Sequence, residues 1–153
     1  MFCRRGSSGF TLVELMVIVA ILGIFAGIAV PSFADLIRRN RVQSASEELY
    51  GLLQYARTEA VARGRPITIE RNRDGVWLIK TSDKVLREQT FASVNLQSTD
   101  DSLVFRPNGT ASKWVDFTVC AQDKAPHGRT LNVENSGRIV LSNQFAEKKG
   151  CTS

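Results

Sequence analysis

The sixteen residues Leu15–Val30, LMVIVAILGIFAGIAV, carry no charge, and a single carboxylate, Glu14, stands directly before them. With Phe10–Val13 and Pro31 they form an apolar stretch of about 20 residues, the length of helix that crosses a hydrocarbon core of roughly 30 Å. Only one such stretch exists, which excludes a polytopic transporter. Apolar residues make up 43% of the 153-residue chain, an ordinary share, but this block holds a disproportionate part of them and the remainder is polar. The length suits one domain with an appendage. It is too short for a barrel enzyme of about 250 residues and apolar enough to escape disorder. Three cysteines are too few for a disulfide-dense mini-protein.

Length and apolarity alone leave three readings of the block: a secretory signal, a plain anchor, or something more specific. A secretory signal needs a short apolar core followed by a small residue at the cleavage site. Ala34 would serve as that residue, but the core is long for a signal. Glu14 fits neither generic reading, because a carboxylate inside a bilayer costs a few kcal/mol or more and is usually kept for a partner. The alternative is a glutamate that snorkels to the headgroups. Gly23 and Gly27 form a GxxxG pair, which either draws helices together or is the ordinary glycine content of a membrane helix. Pro31 should kink or loosen the helix. Arg4 and Arg5 precede the block and Arg38, Arg39 and Arg41 follow it, so charge by itself does not fix the orientation.

Beyond the block, residues 35–153 carry 18 basic and 14 acidic side chains, a balance of +4, and 14 of the chain's 20 basic residues are arginine. Such a surface is compatible with an anionic partner without requiring one. Leu49, Leu52, Leu53, Ala56 and Ala60 recur at i, i+3, i+4, i+7 and i+11, one face of an amphipathic helix. Gly64 and Pro66 end that helix. The two halves together predict one helix from Phe10 to about Arg63, on the order of 80 Å long at 1.5 Å per residue.

After Pro66 the period changes to that of strands. Ile67–Glu70 and Val76–Ile79 flank Asn72-Arg73-Asp74-Gly75, a hairpin loop containing glycine. Val85–Leu86, Val94–Leu96, Leu103–Phe105, Trp114–Val119, Thr130–Val133 and Ile139–Leu141 continue the series, with turns at Asn108-Gly109 and Ser136-Gly137. A helix followed by short strands is an α+β chain. It contains no P-loop, GxGxxG, HExxH or GxSxG. The single histidine, His127, sits in a loop, and Asp100-Asp101 reads as a turn. Cys120 and Cys151, without CxxC spacing, and one histidine cannot furnish a structural zinc set. No catalytic residue, metal or cofactor is expected.

Gly9-Phe10-Thr11-Leu12-Val13-Glu14-Leu15, following a basic leader and opening an apolar helix, resembles the processing motif of type IV prepilins and type II secretion pseudopilins. Glu59–Gly64, Asp74–Trp77, Phe105–Thr110 and Ser136–Ile139 occur in the order found in the GspH/FimT/FimU-type minor pilins and pseudopilins. The resemblance covers nearly the whole chain after the leader. It implies the pilin fold, a long N-terminal helix, half membrane-embedded, packed on a globular domain of antiparallel strands. It further implies a cleaved leader at 1–9, a transmembrane or filament-core helix at 10–34 and a periplasmic domain at 35–153. Cleavage would fall between Gly9 and Phe10, and the prepilin peptidase would also N-methylate Phe10. Glu14 would serve assembly by pairing with the new amine of a neighbouring subunit's Phe10.

The implied role is that of a minor pilin, not an enzyme, that primes and joins a type IV pilus. Its partners would be the inner membrane, the peptidase, and other major and minor pilins. The alternatives are a type II secretion pseudopilin and a DNA-binding pilin for natural transformation. FimT-type members bind DNA through Gly-Arg-x-Arg; here Gly128-Arg129-Thr130-Leu131 has Leu131 in place of the second arginine. Arg129 and Arg138, with Lys148 and Lys149, are the candidate phosphate contacts. Cys3 would be lost with the leader. A periplasmic location would favour a Cys120–Cys151 disulfide, with two free buried thiols as the alternative.

Overall fold

The computed structural model describes residues 10–122, 127–141, 146–147 and 151. The chain divides into two compact units, Met1–Ile37 and Arg38–Ser153. One helix, α1 (Leu12–Arg63), contributes to both. Nine strands follow: β1 (Ile67–Arg71), β2 (Trp77–Lys80), β3 (Val85–Gln89), β4 (Val94–Ser98), β5 (Ser102–Phe105), β6 (Val115–Ala121), β7 (His127–Val133), β8 (Ile139–Leu141) and β9 (Ala146–Glu147). The α+β reading of the sequence is the fold observed.

In the first unit α1 is apolar, and its large apolar side chains among those described are exposed. Its N-terminal part is long and apolar enough to cross a membrane, and none of that window is buried. The helix starts at Leu12, two residues later than the sequence pattern suggests, because Thr11 is its N-cap: Thr11 Oγ1 accepts a hydrogen bond from the Glu14 amide at 3.2 Å. Pro31 lies within the helical span.

In the second unit α1 becomes amphipathic. Val42, Ala45, Ser46, Leu49, Leu52, Leu53, Ala56 and Ala60 form its buried stripe, and the five positions picked out by periodicity are all in it. Ser46 is the polar member. Its hydroxyl donates to the Val42 carbonyl at 2.6 Å, so this buried donor is satisfied. The helix ends where Gly64 takes a φ of +61°, with Arg63 in the last turn paired to Glu59.

The strands make two antiparallel sheets, ordered β3-β2-β1-β5 and β4-β6-β7-β8, with β9 also pairing with β7. Alternation puts Ile67 and Ile69 of β1, Trp77 and Ile79 of β2, Val115, Phe117 and Val119 of β6, and Leu131 and Val133 of β7 inside. These residues and the helix stripe share one core. Trp77 and Phe117 join the sheets through an edge-to-face contact, ring centroids 5.5 Å apart.

Three loops repeat one design. Asn72–Val76, Arg106–Thr110 and Glu134–Arg138 each close with an amide of the first residue bonded to the carbonyl of the fifth. The amide of the fourth residue, a glycine, bonds back to the carbonyl of the first. Gly75, Gly109 and Gly137 have φ of 79°, 78° and 79°, a region that only glycine enters without strain. Three expectations shift in detail. His127, expected in a loop, is the first residue of β7, paired with Glu147 of β9. Trp114 precedes β6 instead of opening it; its ring is half exposed and its indole N–H donates to Asp116 Oδ1 at 2.7 Å. The two-residue β9 has no counterpart among the expected strands.

Leu53 has no exposed surface and touches the core from the helix side. Leu53→Ala should lower the free energy of unfolding by about 2–5 kcal/mol. Urea unfolding of the protein followed by tryptophan fluorescence would measure this.

Candidate assembly site

The first turn of α1 places the chemistry that the sequence singles out. Phe10 is exposed, and Gly9 lies outside the described residues, as do Cys3, Arg4 and Arg5. Glu14 does not project alone. Its Oε2 accepts hydrogen bonds from both the amide and the hydroxyl of Thr11, each at 2.9 Å, while its own amide donates to Thr11 Oγ1. This reciprocal pairing is a capping box, and it puts a negative charge at the positive end of the helix dipole. Thr11 is the functional residue that sequence reasoning passed over, although Thr-x-x-Glu ahead of an apolar run is its signature. Along the same unit Gly23 and Gly27 face open space: a side chain at either would meet nothing within 4 Å.

At the other end of the chain, Cys120 of β6 and Cys151 form a disulfide with their Cα atoms 5.5 Å apart. The bond lies over β7. A Cβ on Gly128, the residue paired with Cys120, would stand 2.5 Å from Cys151 Sγ and 3.3 Å from the Val119 carbonyl. Glycine at 128 is therefore what lets the bridge cross the strand.

That glycine also opens the Gly-Arg pair from which phosphate contact was expected, and the structure does not support that contact for Arg129. Arg129 is only 7% exposed. Alternation along β7 sets residues 129, 131 and 133 on one face, and Leu131 and Val133 are core. A phosphate cannot reach a guanidinium on that face. Arg138 is exposed, beyond Ile139, which pairs with Val133 at the far end of β7. The two arginines thus do not form a common rim. Lys148, Lys149 and the His127 side chain lie outside the described residues. Among those described, no group of three or more His, Cys, Asp or Glu residues could hold a metal ion.

A helix with an exposed apolar first half, a capped carboxylate in its first turn, and a two-sheet domain built on its second half together define the pilin fold. The family model described as "Type II transport protein GspH" matches residues 45–137, and that of the "Prokaryotic N-terminal methylation motif" matches residues 4–30. The chain belongs to the GspH family and carries the methylation motif at its N-terminus. It is 30% identical over 132 residues to the fimbrial protein EcpB of Eikenella corrodens, covering 86% of this chain and 76% of that protein. The crystal structure of the type IV minor pilin FimU of Pseudomonas aeruginosa is similar, with a TM-score of 0.61 and 33% identity. That similarity covers 68% of this chain and 90% of the FimU chain. The minor pseudopilin EpsH from the type 2 secretion system of Vibrio cholerae has the same fold, with a TM-score of 0.55 at 14% identity, over 67% of this chain and 96% of that one.

The disulfide spans 31 residues. In the chain-entropy model its loss should cost about 3–4 kcal/mol. Thermal unfolding with and without a reductant tests this, and the midpoint should fall when the bond is reduced.

Proposed function

We propose that this chain is a minor pilin, a membrane-anchored structural subunit that primes and joins a type IV pilus. On this reading residues 1–9 are the leader, cleaved between Gly9 and Phe10 with methylation of the new amine. Residues 10–34 anchor the protein in the inner membrane and then pack in the filament, and residues 35–153 form the periplasmic domain. The observation that carries the reading is Glu14, held by Thr11 in the first turn of an exposed apolar helix and four residues after Phe10.

The physical logic is a difference between hydrogen bonding and charge. Thr11 supplies two donors to the carboxylate in the single subunit, but donors do not neutralise it. In an apolar filament core a net negative charge stays costly until a cation stands beside it. Cleavage creates such a cation, the Phe10 amine, and a neighbouring subunit brings it close to Glu14 in one axial register. Glu14 thereby makes correct stacking favourable and leaves slipped stacking with a buried unpaired charge.

The similarity to FimU over most of the domain favours the pilus. The alternative is a subunit of a type II secretion pseudopilus, favoured by the description of the matching family. It uses the same first turn in the same way.

Two outcomes are expected. Protein purified from membranes should begin at N-methylated Phe10 by intact-mass and peptide analysis. In a strain lacking the gene, surface pili should be lost, wild type should restore them and Glu14→Ala should not. Normal pili in the deletion strain would overturn the pilus reading, and measurement of exoprotein secretion would then test the alternative.

A further inference from the structure

The turn between β1 and β2 walls a hollow of about 270 Å³ with Arg71, Asn72, Arg73 and Asp101. We propose that this hollow is a carboxylate site that takes an Asp or Glu side chain from a neighbouring subunit. The proposal rests on the reading that the chain is a filament subunit.

The frame of the site is fixed. Asn72 Oδ1 accepts from the amides of Asp74 and Val76 at 2.9 and 2.8 Å, and its backbone closes the turn in both directions. The Arg71 amide donates to the Asp101 carbonyl at 2.9 Å, tying the end of β1 to the β4–β5 connection. The Arg71 guanidinium lies beside Gly75, where a Cβ would stand in ordinary contact, 3.8 Å from Arg71 Nη2. Two guanidiniums are thus presented from a rigid turn.

Several cations of the domain are engaged. Lys80 pairs with Glu70, Lys113 with Asp100 and Arg63 with Glu59. Arg57 donates to the Gly109 carbonyl, Arg106 to that of Ala111, and Arg87 lies over the Tyr55 ring. The side chains of Arg41, Arg65, Lys84 and Arg138 are not, among the described residues, and nor are those of Arg71 and Arg73, which stand apart in lining one hollow together. Among the described residues neither guanidinium has a hydrogen-bond or ion-pair partner, although Asp101 lines the same hollow. Two like charges lining one hollow repel, and an anion between them relieves the repulsion while offering each a fork-shaped set of acceptors.

The surroundings select the kind of anion. Asp101 bounds the hollow on one side. Asp74 lines an adjoining hollow of about 200 Å³ that shares Arg71 and also exposes parts of Thr90 and Asn95. A nucleic acid backbone running through would bring successive phosphates against these carboxylates. A single carboxylate meets the two arginines and stops, and its aliphatic stem can lie in the adjoining hollow beside Phe91. The geometry therefore favours an acidic side chain over a polyanion.

Lysine at either position keeps the charge and becomes a substrate for carbodiimide coupling to a touching carboxylate. Full-length Arg73→Lys and Arg71→Lys proteins, treated with carbodiimide in whole cells, should form an amide to an Asp or Glu of another subunit, located by peptide mass mapping. The double variant Arg71→Glu/Arg73→Glu should accumulate in membranes and unfold thermally as wild type does. Its share in filaments should fall on the order of ten-fold, the loss of one charge-assisted interface pair. Coupling only to Asp74 or Asp101 of the same chain, or unchanged incorporation of the double variant, overturns the site. Binding of duplex DNA at low salt that the double variant loses also overturns it, in favour of a polyanion. If wild type is missing from surface pili yet its lysine variants still couple to another subunit, the site stands and the pilus reading falls. If wild type is present in pili and no coupling occurs, the reading stands and the site falls.

Discussion

The packing of one helical stripe, Val42 to Ala60, against two sheets is the interaction on which the second unit depends. Neither sheet has a second layer of its own. Sheet β3-β2-β1-β5 and sheet β4-β6-β7-β8 bury their inner faces on the same core as α1, with Trp77 and Phe117 making an edge-to-face link between them. Alanines at 45, 56 and 60 and leucines at 49, 52 and 53 are all buried in that core. A chain of this size buries a modest core, and the disulfide at Cys120 and Cys151 adds a covalent tie where pairing is thinnest, beside the two-residue strand β9.

The same helix meets opposite demands along its length. Up to Ile37 its large apolar side chains, among those described, stand exposed, a state that in water would be an aggregation hazard and in lipid or a filament is the resting condition. From Val42 the apolar residues narrow to a stripe. Local hydrogen bonding at the first turn gives the carboxylate of Glu14 donors, while its charge remains available to a partner.

Much of this was legible in the amino-acid order. The change from continuous apolarity to a 3.6-residue period marked the two halves of α1, and alternation with glycine-containing loops marked eight of the nine strands. Ala146-Glu147 carries no alternation and becomes a strand only because β7 offers an edge there. Arg129 shows competing signals: Gly-Arg suggested an anion contact, whereas Leu131 and Val133, two and four residues on, put it on the inner face. Alternation prevailed. Thr11 was readable as a cap but was overshadowed by the glutamate it holds. Arg71 and Arg73 gave no local sign, since their hollow exists only because the β4–β5 connection, thirty residues on, is bonded to the end of β1.

Arg57, Gly109 and Gly137 lie far apart in the chain and meet at one point. Arg57 Nε donates to the Gly109 carbonyl at 3.0 Å, and any side chain on Gly137 would collide with that same carbonyl. The helix, the β5–β6 loop and the β7–β8 turn thus meet at a single oxygen atom, bonded by the first and closely approached by the last. Drift at one of the three positions would have to be answered at the others, so sequence change in this corner of the domain should come in concert, while the loops on either side are free to wander independently.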